Sequence, residues 1–272
     1  MRSMIKMATR YPWSVSKAYY SGRSFTVSSQ DTAVYGLYIK SDGLKLYTIG
    51  DQNNSVYQYT LSSAWDISTA SYDSVSFSVG GQEGEPQGIF FKSDGTKFYI
   101  VGNVNKTVYQ YTLSTAWDLS TASYDSVSFL VSSENSAPSA IFFKSDGTKF
   151  YIIGRGTDKA IYQYSLSSAW DLTTSSYDSV SFLVSSQNSI PTGFAISTNG
   201  AKMFVMGRGG TASIYQYTLS TAWNLSTASY DSVSLPISTI DDTPVGVLFQ
   251  SSNGMFIYFS GQSNAKVFQY FT

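Results

Sequence analysis

The chain contains neither cysteine nor histidine. Without cysteine there are no disulfides and no thiolate chemistry, and the sequence carries no signal of redox compartment. Without histidine, Ser–His triads, imidazole acid–base catalysis and imidazole metal sites are excluded. Charge is sparse as well. Only 13% of the 272 residues are charged, the net charge is −1, and neither sign is clustered. That leaves no electrostatic footprint for nucleic acid or an anionic membrane. The opening MRSMIKMATRYPW lacks an apolar run long enough for a signal peptide or a membrane span. The expectation is a protein that stays in the cell that made it or leaves by lysis, as a virion does.

What the chain has in abundance is repetition. Trp13, Trp65, Trp117, Trp170 and Trp223 lie 52, 52, 53 and 53 residues apart. The text around them also returns: FFKSDGTKFYIVG from Phe90 comes back as FFKSDGTKFYIIG from Phe142. A period of this length means a repeat architecture. Each copy holds four strand-like runs, A to D, which in the second copy are Gly88–Phe91, Lys97–Val101, Val108–Leu113 and Val127–Val131. Asp-Gly at Asp42–Gly43, Asp94–Gly95 and Asp146–Gly147, and Asn-Gly at Asn199–Gly200 and Asn253–Gly254, supply tight A–B turns. Proline stands before A at Pro86, Pro138, Pro191 and Pro244.

Four antiparallel strands repeated radially predict an all-β, five-bladed β-propeller in a single domain over 1–272. The repeats run at about 34–85, 86–137, 138–190, 191–243 and 244–272 plus 12–30. The last copy stops after its C run, and Phe25 and Val27 fit the missing D, so the N-terminal strand is expected to complete the fifth blade. Pro236 on a D run fits an outer edge strand.

The SDGTKFY hairpin followed by VYQYTLSTAWDLSTASY resembles propeller repeats of bacteriophage and marine viral proteins, over Ala33 to Thr272. More loosely it is similar to tachylectin-type lectin propellers, although no sugar-binding motif of those lectins is present. The viral resemblance implies a virion component, such as a tail-fibre, decoration or receptor-binding protein.

Differences between the copies locate the candidate site. The A–B and C–D connections are nearly constant. The B–C loops (DQNNS, NVNKT, RGTDKA, RGGTAS, QSNAK) and the D–A loops (SSQDTA, GGQEGE, SSENSA, SSQNSI, STIDDT) diverge, and in a meander they share one face of the disc. Loops on a rigid scaffold are where binding groups usually sit. The candidates are the cations Arg155, Lys159 and Arg208, and the acids Asp51, Glu83, Glu85, Glu134, Asp241 and Asp242. With them come the amides Asn103, Asn105, Asn135, Gln187 and Asn188, donors and acceptors of the kind that read sugar hydroxyls; Gln262 and Asn264 lie on the same loops.

The recurring Trp65–Asp66, Trp117–Asp118 and Trp170–Asp171 pairs, and the glutamines Gln58, Gln110, Gln163, Gln216 and Gln269, read as scaffold because every copy has them. Glycoside hydrolysis would need two inward carboxylates roughly 5–9.5 Å apart. The acids outside the repeat pattern, which include Asp31 and Asp158, all fall in loops, and the strand A runs read as apolar or glycine. The loop acids leave room for a bound Ca²⁺ but show no recognisable ligand spacing, and a phosphate-binding loop is missing, so no metal site or cofactor is assigned. The reading is therefore a non-enzymatic propeller in a virion that recognises a host surface glycan or protein through its variable face. The constant face or the segment 1–11 would dock to other subunits. A free lectin, a structural spacer and a glycoside hydrolase are the alternatives.

Overall fold

A computed structural model describes residues 13–250 and 254–272, so the segment 1–11 assigned above to docking lies outside the described residues. The strands form five sheets of four, each antiparallel throughout. In the second blade they are Pro86–Phe91, Lys97–Gly102, Thr107–Leu113 and Ala122–Leu130, from the inside outward. The inner strands Val34–Ile39, Pro86–Phe91, Pro138–Phe143, Pro191–Ile196 and Pro244–Gln250 touch one another in a closed cycle. This is a five-bladed β-propeller.

The ring is fastened by one shared sheet. Tyr19–Thr26 pairs with the C-terminal strand Lys266–Phe271, in the register Phe25↔Val267, and becomes the outer strand of the fifth blade. Closure leaves no exposed central edge. Pro236 ends an outer strand, Ala228–Pro236, where its missing N–H breaks no ladder.

Five blades bring the inner strands very close. The third residue of each is Gly36, Gly88, Ala140, Gly193 or Gly246. A Cβ added at Gly88 would lie 2.8 Å from the Ala140 Cα, and one at Gly246 2.5 Å from the Tyr35 carbonyl oxygen. Only the smallest side chains fit this girdle.

Each tryptophan is a wedge between neighbouring blades. Trp117 stacks on Phe91 of its own blade, with ring centres 5.8 Å apart, and its carbonyl accepts from the Tyr47 hydroxyl of the preceding blade at 2.6 Å. It sits in the left-handed backbone region at φ 66 and lies across Gly95. The following Asp118 accepts from the Ser120 N–H at 3.0 Å and caps a short 3-10 turn. Side-chain oxygens of the strand C glutamines accept from the next blade's backbone, as Gln58 does from the Leu119 N–H at 2.8 Å.

Two strand starts differ from the sequence reading by more than one residue. The outer strand begins at Ala122 and not Val127, because a bulge with Ser126 at φ 57 interrupts its alternation. The inner strand begins at Pro86 and not Gly88, which adds a polar position, Gln87, to the channel wall.

Candidate functional site

The polar end of the central channel is built by one repeated position. Asp51, Asn103, Arg155, Arg208 and Gln262 each follow the last glycine of a B strand, one per blade. Each fixes its backbone by donating its N–H to the residue just before strand A, to the carbonyls of Ala33, Glu85, Ala137, Ile190 and Thr243 at 2.9–3.2 Å. Five identical anchors thus carry five different side chains around one mouth. The scaffold sets the positions and the sequence varies the chemistry.

Two contacts between blades and one within the second blade tie these side chains into a partial ring. Arg155 Nη2 donates to Gln87 Oε1 at 2.8 Å, Arg208 Nη1 to Gln262 Oε1 at 3.0 Å, and Asn103 Nδ2 to Glu85 Oε2 at 2.8 Å. Burial pulls the Arg155 guanidinium below its ordinary pKa, and the neighbouring Arg208 adds to this; Tyr35, Glu85 and Asp51 act in the opposite direction. Burial raises the Asp51 carboxyl above the usual carboxylate value, as do the charges of Asp31 and Glu85, while a hydrogen bond from Tyr35 opposes the rise. A half-buried carboxylate of raised pKa and two guanidiniums therefore share one rim.

The inner strands supply polar groups that the sequence reading missed. Tyr35, Gln87, Ser139 and Thr192 all occupy the second position of strand A. Gln87, Ser139 and Thr192 are buried, and Thr192 Oγ1 donates to the Pro244 carbonyl at 2.8 Å. The inner strand wall is thus not uniformly apolar. The signal is in the sequence: Gln87, Ser139 and Thr192 each follow a proline that is itself the first residue of the strand.

Other candidates occupy different places. Glu83, Asn135, Asn188 and Asp241, with Asp31, are buried at 0–3% exposure and face the loop interior. Each accepts from the backbone N–H two residues on, as Glu83 does from Glu85 at 3.1 Å. A Cβ on Gly50, Gly102, Gly154, Gly207 or Gly261 would meet these side chains at 2.1–2.5 Å, which is why glycine ends every B strand. They shape the mouth and do not line it. Asn105 donates to the Gln82 carbonyl at 2.5 Å, Gln187 accepts from Tyr217, and Asp242 accepts from Ser263 at 2.5 Å. Asn264 Nδ2 donates to Asp241 at 3.0 Å. Glu134 and Lys159 line a separate pocket within the third blade.

The opposite end of the channel is apolar, a cavity of about 130 Å3 lined by rings such as Tyr38, Phe90, Phe142, Trp170, Trp223 and Phe249. Among the described residues no cluster of three or more acidic side chains could hold a metal ion, and no helix is long and apolar enough to cross a membrane.

No protein-family model matches the chain, and no curated protein matches it in sequence. Solved structures match its fold. A candidate 6-phosphogluconolactonase from Bacteroides fragilis superposes with TM-score 0.52 at 15% identity, over 75% of this chain and 55% of that one. A second candidate 6-phosphogluconolactonase, from Bacteroides uniformis, gives 0.53 at 11% identity, over 84% and 63%. The periplasmic gluconolactonase of Pseudomonas aeruginosa gives 0.50 at 14% identity, over 75% and 54%. The chain spans 54–63% of the length of these proteins. Identities this low establish the fold alone.

These neighbours correct the expectation of a non-enzymatic virion propeller, with a free lectin or a spacer behind it. That reading rested on likeness to viral repeats, whereas the three neighbours named above are called lactonases.

Proposed function

We propose that the chain is a hydrolase that opens a small sugar-derived lactone at the polar mouth of its channel. The observation that carries this reading is the convergence of Asp51, of raised pKa, with Arg155 and Arg208 on one rim. The gluconolactonase names of three structural neighbours support the substrate class.

The chemistry follows from the charges. Asp51 takes a proton from water as the water oxygen bonds to the lactone carbonyl carbon. The electron pair displaced onto the carbonyl oxygen is held by the Arg155 and Arg208 guanidiniums. When the adduct collapses, the ring C–O bond breaks and the alkoxide leaves with the proton carried by Asp51. The product is the open-chain hydroxy acid, with one water consumed. The amides of Asn103 and Gln262 face the sugar hydroxyls, and Gln87 keeps Arg155 extended toward the mouth.

The test is hydrolysis of glucono-δ-lactone followed by acid release, with spontaneous opening subtracted. Asp51→Asn should lower kcat by about 10²–10⁴, and Arg155→Ala by about 10²–10³. Absence of turnover above the spontaneous rate, across lactones of four to seven carbons, would remove the proposal. Turnover of aryl glycosides in their place would transfer the same rim to glycoside hydrolysis.

A further inference from the structure

The third blade differs from the other four in a way the channel mouth does not explain. In blades one, two and five the buried loop anchor is acidic (Asp31, Glu83, Asp241), and four residues separate the two strands of the B–C hairpin. In blades three and four the anchor is Asn135 or Asn188, the hairpin loop has five residues, and it opens Arg-Gly. These changes belong together. An acidic anchor accepts from the B–C loop backbone with its second oxygen, as Glu83 does from Asn105 at 3.2 Å. An asparagine presents an NH₂ group there, which can only donate.

In both asparagine blades that donor is buried and unpaired. Asn135 Nδ2 and Asn188 Nδ2 have no hydrogen-bond partner, and the residues are 3% and 1% exposed. A buried donor without an acceptor carries an uncompensated loss of hydration. In blade three the residue that carries the orphan, Asn135, borders a cavity of about 170 Å3, lined also by Glu134, Gly156, Asp158, Lys159 and Tyr162. At about 30 Å3 of liquid volume per water, the space equals roughly six waters. The loop divides two sites: Arg155 turns inward to Gln87, while residues 157–159 face the pocket.

At two loop positions blade three alone carries carboxylates. The position held by Gln30, Gln82, Gln187 and Ile240 in the other blades is Glu134, and the position of Thr211 in blade four is Asp158. Lys159 Nζ is turned to its own loop, donating to the Thr157 carbonyl at 3.3 Å. The Asp158 carboxylate accepts from the Tyr162 hydroxyl at 3.2 Å, and burial together with Asp158 pushes that hydroxyl up to about 12. The pocket therefore has an unmet buried donor on a residue that borders it, and an excess of negative charge.

We propose that this cavity is a binding site for a small amine that carries a hydroxyl or carbonyl oxygen. The oxygen accepts from Asn135 Nδ2, and the ammonium is held between Glu134 and Asp158. The site is independent of the lactone chemistry at the mouth, so the two proposals stand or fall separately.

Glucosamine and glucose, titrated at pH 6 against the isotope-labelled full chain, are the probes. Glucosamine should saturate and shift the amides of residues 132–136 and 156–160, and glucose should bind at least about 10-fold more weakly. Asp158→Asn and Glu134→Gln should each weaken glucosamine about 10-fold or more. Asn135→Asp exchanges the orphan donor for an acceptor and should also weaken it, while the matching Asn188→Asp change in blade four leaves binding intact. Thermal midpoints of all four variants establish that they fold, and lactone turnover reports the mouth. Equal binding of glucose, equal loss in Asn188→Asp, or no saturation in the tens of millimolar would overturn the proposal.

Discussion

The side-chain oxygen of Gln216 accepts the backbone N–H of Val15 at 3.0 Å, across 201 residues of sequence. The same bond joins Gln58 to Leu119, Gln110 to Leu172, Gln163 to Leu225 and Gln269 to Ile67. Gln216 is the member that reaches the N-terminal segment, so it clasps the ring where the chain is not continuous. Gln216→Met keeps the volume and leaves the buried Val15 N–H without an acceptor. The expected loss is about 1–3 kcal/mol in urea unfolding. An unchanged midpoint would mean that the shared sheet alone closes the ring.

A titration with acid should find the four lysine–aspartate clusters. Burial alone would raise Asp73, but bonds from Lys45, Gln58 and Thr60 outweigh it and hold the carboxyl below its ordinary value of 3.8. Asp125, Asp178 and Asp231 behave alike. A carboxyl depressed in the folded state stabilises fully above 3.8, and that contribution disappears as pH falls through the folded value. Urea midpoints should therefore be flat above about pH 5 and drop between about pH 4 and pH 2. Asp125→Asn should be less stable at neutral pH and show a shallower acid slope.

The fifth blade lacks this cluster entirely. Where the first blade has Lys45, Thr60 and Asp73, the fifth has Phe256, Phe271 and Ser21, with the two rings 5.6 Å apart. Gln269 Nε2, whose counterpart Gln58 Nε2 donates to Asp73 at 2.8 Å, is left buried without a partner. Ser21→Asp alone brings an unpaired charge, and Phe256→Lys alone a stranded cation. Together they should be coupled favourably by about 0.5–3 kcal/mol in a double-mutant cycle. Simple additivity would show that the ring pair and the polar cluster are not alternatives.

Much of this was legible because the chain carries its own alignment. Asp94 at the A–B turn accepts from Thr96 N–H at 2.9 Å, as its Asp-Gly setting implies, and Phe25 does sit on a strand that completes the fifth blade. Recurrence also separated the scaffold glutamines from the variable loops. It could not separate side chains that line a mouth from those that hold it open, since Glu83 and Glu85 are both variable acids two residues apart. Only the close approach of Glu83 to Gly102 distinguishes them. Nor did alternation reveal the true start of the outer strand, because the bulge at Ser126 shifts its phase. The polar inner-strand residue Gln87 was hidden by treating Pro86 as a boundary, when proline is tolerated as a strand's first residue.

The raised pKa of Asp51 makes a prediction with two opposite arms. As a general base Asp51 acts only when ionised, so lactone hydrolysis should rise with pH through an apparent pKa above the ordinary carboxylate value of 3.8. Glu85 contributes to that elevation through its charge, whereas the hydrogen bond from Tyr35 works against it. Glu85→Gln removes a neighbouring negative charge and should move the rising limb to lower pH. Tyr35→Phe removes the stabilising donor and should move it to higher pH. The measurement is kcat/KM against pH for the parent and both variants, each corrected for spontaneous opening. Displacement of both limbs in the same direction, or of neither, would assign the base to a carboxyl other than Asp51.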